Sequence, residues 1–127
     1  MYNLRFFIFL STLVLFGFIS SCGIDYDFSN TILARDFHTE MDENPEEGAA
    51  IGKISASSSY GRMEFEIEFQ QPEGAFAVTK TKGELSVLDA ALFDYETDSV
   101  IVGSVIISNN QMADTIKVKI KLADVPE

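Results

Sequence analysis

Phe76-Ala77-Val78-Thr79-Lys80-Thr81-Lys82-Gly83-Glu84-Leu85-Ser86-Val87 holds two short apolar alternations on either side of a turn. Phe76 and Val78 alternate with Ala77, and Leu85 and Val87 with Glu84 and Ser86. A period of two is the pattern of a strand, and Gly83 supplies a turn conformation that a Cβ would resist. Shortly downstream, Phe93-Asp94-Tyr95-Glu96 alternates aromatics with acids. On an extended backbone Asp94 and Glu96 project to one side, and Phe93 and Tyr95 to the other. Two carboxylates would then stand over an apolar plug, as at one edge of a cation site.

Outward from this stretch the strand pattern continues. Met63, Phe65, Ile67 and Phe69 alternate with Glu64, Glu66 and Glu68, which predicts a strand with those four apolar residues inside. Val100 to Ile107 is apolar on both faces apart from Gly103 and Ser104, as a central strand would be. Asn109-Asn110 turns the chain, and Ile116, Val118, Ile120 and Leu122 then alternate with Lys117, Lys119 and Lys121. A lysine row keeps the outer face of a long strand in water and discourages edge-to-edge pairing. Residues 33–41 and 50–56 supply the first two strands, separated at Pro45 and Gly48. Seven short strands without an amphipathic helix predict an all-β, seven-stranded, antiparallel Greek-key sandwich, immunoglobulin-like in its generic form.

Composition narrows the function. The chain has 127 residues, enough for one domain. Nine basic residues against 20 acidic ones give a net charge of −11. That excludes nucleic acid as an expected partner, because phosphate binding needs clustered Lys and Arg. His38 is the only histidine and is read as a solvent-facing strand residue. With neither a nucleophilic Cys beside it nor a Gly-x-Ser-x-Gly elbow, no enzyme is expected.

Residues 1–21 read as a lipoprotein signal peptide. Arg5 is their only charge, Phe6 to Ile19 is apolar apart from Ser11, Thr12 and Gly17, and Ile19-Ser20-Ser21-Cys22 matches a bacterial lipobox. Cys22, the only cysteine, is the expected lipidation site and membrane anchor. Residues 22–31 form the tether, in which Asp25 and Asp27 resemble the surface-export signals of some bacterial lipoproteins. Residues 32–127 make the sandwich. The expected location is the bacterial cell envelope, at the outer membrane or cell surface.

Gly74-Ala75-Phe76-Ala77-Val78, then Gly83-Glu84-Leu85, then Phe93-Asp94-Tyr95-Glu96 resembles the second half of a cadherin repeat. Glu43-Asn44-Pro45-Glu46-Glu47-Gly48 is similar to the opening of such a repeat, and Asp124-Val125-Pro126-Glu127 stands where the linker to a following repeat would be. The resemblance implies a structural or adhesion role toward another protein or cell-surface component, and Ca²⁺ bound between repeats. It carries the ligand role onto Glu43, Asp94, Glu96 and Asp124. At the other pole the family's acids correspond to Ser58, Tyr60 and Asn109, which are uncharged. The resemblance therefore implies a first repeat with a half-site at its far end, read as weakly calcium-binding, as a relic whose acids are merely solvated, or as the end of a piece of a longer chain. The alternative is a glycan- or substrate-binding accessory lipoprotein; with no Trp, its aromatic platform would fall to Tyr60 and Tyr95.

Overall fold

The computed structural model describes residues 30–126, so the signal peptide, Cys22 and most of the tether lie outside the described residues. Nine strands follow one another: β1 (Ile32–Ala34), β2 (Phe37–Asp42), β3 (Ala50–Lys53), β4 (Ala56–Ser58), β5 (Glu64–Gln71), β6 (Phe76–Val78), β7 (Glu84–Val87), β8 (Val100–Ser108) and β9 (Ala113–Ala123). Among the described residues no helix is long and apolar enough to cross a membrane.

The β8–β9 hairpin is the spine. Its ladder runs unbroken from Val100 opposite Lys121 to Ser108 opposite Ala113. Asn109 shapes the turn, its Oδ1 accepting the N–H groups of Gln111 and Met112. On the inner face Ile101, Val105 and Ile107 meet Ile116, Val118, Ile120 and Leu122, all buried. Each such side chain contributes about 1.5–3 kcal/mol on burial. β5 pairs antiparallel with β8, and β2 runs parallel to β9, giving the sheet order β2-β9-β8-β5. The facing sheet is β3-β7-β6, and β1 with β4 forms a short ribbon. Phe76, Leu85 and Phe93 fill the space between the sheets and are fully buried. The result is the all-β sandwich expected from the alternations.

Nine strands arise from seven predicted segments because two segments are broken. The first breaks at Arg35 and Asp36, where the chain passes from the ribbon to the large sheet. Asp36 Oδ1 accepts the Lys117 N–H across the gap (2.8 Å), and Arg35 donates its N–H to Ser55 O. The second breaks at Ile54 and Ser55, with the Ile54 N–H donated to Gly83 O. The strand read as 33–41 thus belongs to two sheets, which one-face periodicity does not reveal.

Two further expectations change. The β5–β8 register shifts between Ile67 and Phe69. Phe65 is buried as expected, Ile67 is only half-buried against the core, and beyond the bulge Phe69 is 53% exposed. The inner place goes to Gln70, opposite Gly103. Its side chain accepts the Phe76 N–H and donates to Phe76 O, so it substitutes for a neighbouring strand. The Phe93–Glu96 tetrad is not extended either. Asp89 caps a 3-10 turn at Ala90–Leu92, and a second turn over residues 95–97 follows directly. Phe93 is a core plug, whereas Tyr95 is 38% exposed. Asp94 drives the second turn by bonding its own neighbours, as short polar side chains do in competition with a strand.

Candidate metal centre

Glu43 follows directly on β2, and its N–H donates to Ala123 O at the end of β9. Its side chain is buried, an unusual place for a carboxylate. Oε2 accepts the Tyr95 N–H and Oε1 the Val125 N–H, both at 2.9 Å. One carboxylate therefore fastens three segments: the end of β2, the turn at 95–97 and the chain beyond β9. The next residue, Asn44, takes φ 55° and donates its N–H to Phe93 O (2.9 Å), fixing the same joint from the other side.

This joint brings exposed acids together. Carboxylate oxygens of Glu43, Glu96 and Asp124 lie within 4.8 Å of one another. Asp94 is the neighbour of this group, not a member of it. Its carboxylate accepts the Glu96 N–H (3.2 Å) and the Thr97 hydroxyl (3.0 Å), holding the turn that carries Glu96. An all-oxygen donor set of this kind suits a hard cation such as Ca²⁺. Each Glu43 oxygen has one lone pair engaged by a backbone N–H, which leaves the other for a metal.

The electrostatics divide the acids. The Val125 and then the Tyr95 N–H lower the Glu43 pKa from its ordinary 4.5. The hydrogen bond from Thr97, then that with Glu96, lowers Asp94 from 3.8. Glu96 is raised above 4.5, first by its hydrogen bond with Asp94 and further by the Glu43 charge. Glu96 is thus the acid whose ionised form the group resists, and the one a cation would relieve most.

The opposite pole is a neutral network. Asn109 Nδ2 donates to Ser58 Oγ (2.9 Å) and Asn30 Oδ1 (2.8 Å), Ser58 Oγ donates to Tyr60 O (2.7 Å), and Asn30 Nδ2 donates to Gln111 Oε1 (3.0 Å). Tyr60 stands at this pole and Tyr95 at the acidic one, so they share no platform. His38 is exposed on β2, opposite Lys119. Two roles escaped the sequence reading: Glu43 as a backbone clamp, and Thr97 as partner of Asp94. The spacing Asp94-x-x-Thr97 is a turn signal that was available to find the second.

No family model matches the chain, and no curated protein matches it. Solved structures do. The human desmocollin-1 ectodomain superposes with a TM-score of 0.68 at 19% identity, over 76% of this chain and 21% of that one. Mouse cadherin-23 EC22-24 gives 0.67 at 20% identity, over 77% and 34%. Protocadherin gamma B2 extracellular cadherin domains 1-5 gives 0.68 at 18% identity, over 79% and 20%. This chain spans between a fifth and about a third of the length of those chains. At such identities the likeness is one of fold, and the chain has a cadherin-like β-sandwich.

Proposed function

We propose that this chain is a lipid-anchored protein of the bacterial cell envelope, held at the outer membrane or cell surface through Cys22. In this reading its sandwich is a structural or adhesion module for another protein or cell-surface component. It binds Ca²⁺ weakly at the pole carrying Glu43, Glu96 and Asp124, with Asp94 positioning Glu96. The observation that carries the calcium reading is the convergence of those carboxylates around a buried, doubly hydrogen-bonded Glu43.

Three protein ligands fall short of the six to eight oxygens Ca²⁺ prefers, so water completes the shell and affinity is weak, on the order of 10⁻⁴–10⁻³ M. A ligand bound only by the folded form stabilises it by mass action, about 1.4–2.7 kcal/mol at roughly 10 mM Ca²⁺ for that range. The test is urea unfolding titrated with calcium at constant ionic strength, with Asp124→Asn beside the parent. Asp124→Asn removes an exposed ligand and leaves both Glu43 bonds in place. A calcium-dependent rise that the variant abolishes is expected. A flat response in the parent removes calcium from the account.

A further inference from the structure

Along β9 and β5 the outer face of the four-stranded sheet carries two separate patches of opposite charge. Lys117, Lys119 and Lys121 stand exposed along β9, and Glu64, Glu66 and Glu68 along β5. β8 runs between them, with Val102 opposite Lys119 and Ile106 opposite Glu66. The patch centres are therefore two strand spacings across and four residues along, about 16 Å apart. Midway lies Ser104, and directly opposite it is Phe69. The bulge in β5 turns this ring outward, where it is 53% exposed beside Val102 at 37%. Bulges re-aim side chains, and an exposed aromatic ringed by polar groups is the composition of a contact site.

The lysines of β9 have no ion-pair partner among the described residues; the salt bridge recorded there joins Lys80 to Glu64. His38, Glu40 and Asp42 of β2 border the row, opposite Lys119, Lys121 and Ala123, and stand on the edge away from β8.

We propose that this face binds a second copy of the chain about a two-fold axis beside Ser104. The complement of a face that is basic on one side and acidic on the other is the same face turned over. An axis in the plane of the face, perpendicular to the line joining the patches, lays each lysine patch on the partner's glutamates and brings the two Phe69 rings together. On flat-sheet geometry the strands then cross at about 70°, near the orthogonal mode of sheet packing. An axis along the strands would set Lys119 over Gln71 and leave most of the charges unmatched. Three strands make a small interface, so the dimer is weak and salt-sensitive. This inference stands on the sheet face alone and is independent of calcium and of the anchor.

The test is sedimentation equilibrium of the full chain in density-matched detergent. Three charge variants are compared: Lys117→Glu/Lys119→Glu/Lys121→Glu, Glu64→Lys/Glu66→Lys/Glu68→Lys, and all six together. Raising salt from about 50 to about 500 mM is expected to weaken parent association roughly tenfold as screening shortens. Each triple variant alone should lose association at least as strongly. Their equimolar mixture should recover it, and the six-fold reversal should pair with itself as the parent does. Phe69→Asp, at an exposed ring, should weaken pairing without moving the unfolding midpoint, which keeps the test open if a triple variant misfolds. A parent that is monomeric at about millimolar concentration in low salt overturns the proposal. So does association that the triple variants retain, which would locate the contact elsewhere, for instance in the apolar segment at residues 6–19.

Discussion

Replacing Gly103 by Ala puts a methyl group into space that the fold has already filled. The new Cβ would lie 2.7 Å from Phe69 O, 2.7 Å from Phe76 Cζ and 3.3 Å from Gln70 Cβ. Phe76 is fully buried, and Phe69 O belongs to the backbone of the bulge, so neither neighbour yields cheaply. Overpacking of this kind costs about 1–3 kcal/mol, and a backbone contact argues for the upper half of that range. Gly83 adds a second penalty. A Cβ there would meet the Phe65 ring at 2.7 Å, and φ is +68°, a left-handed conformation that costs a non-glycine residue about 1–2 kcal/mol. Gly83→Ala should therefore cost roughly 2–5 kcal/mol, more than Gly103→Ala. Urea unfolding at 25 °C reads both. With an m-value of about 1 kcal/mol/M, the Gly103→Ala midpoint should fall by roughly 1–3 M. A loss below about 0.5 kcal/mol for Gly103→Ala would mean that the bulge or the Phe76 ring moves freely. Equal losses for the two variants would mean that the Phe65 ring swings aside and the turn at Gly83 is unstrained.

Phe65→Ala should cost about 3–5 kcal/mol, whereas Phe69→Ala should stay within about 0.5 kcal/mol, and comparable midpoints in urea would mean that the β5 register is misread. The Glu96 carboxyl has a raised folded pKa, so its contribution to stability is fully present below pH 4.5 and is lost as pH rises through the folded value. Glu96→Gln fixes the neutral, donating form, so the variant should be more stable than the parent at pH 7, with the gap closing below pH 4.5. Glu43 and Asp94 act in the opposite sense. The stability they provide is present above 4.5 and 3.8 and is lost as pH falls through their lowered folded values, so the Glu96→Gln protein should still unfold in acid. Cys22→Ala, followed in a bacterial host by cell fractionation, should release the protein from membranes; unchanged partitioning would refute the anchor.

The sandwich was legible because its strands bury one face. Alternation along 116–122 placed Ile116, Val118, Ile120 and Leu122 inside and three lysines outside, and the structure has the same arrangement. What periodicity cannot carry is a change of phase or of sheet. Phe69 continues the period of Phe65 and Ile67, yet one extra residue in the strand reverses its face. Arg35 and Asp36 interrupt an apparently continuous strand, because the bond from Lys117 to Asp36 is made at a distance of 81 residues along the chain. At the acidic pole the residue types were readable and the geometry was not. Asp94 and Glu96 were expected to line up on an extended backbone. That geometry comes instead from a turn that Asp94 itself closes, and Glu43, 52 residues before Tyr95, ties this turn to the chain at Val125, beside Asp124.

The parallel pairing of β2 with β9 has a mechanical consequence. The chain enters β2 near the neutral pole and leaves β9 at the acidic one, and the two strands share six rungs from Phe37 opposite Val118 to Asp42 opposite Ala123. A load drawn between Asn30 and Val125 therefore pulls the two strands lengthwise past each other. In that direction the rungs are sheared together, whereas a hairpin pulled from its open end parts one rung at a time. The Glu43 bond to Val125 stands just beyond the last rung and must also give before β9 can slide. Pulling geometry decides how the domain fails: by a single abrupt rupture when tension runs from pole to pole, and by gradual peeling when it is applied between Val100 and Lys121, at the open end of the β8–β9 hairpin.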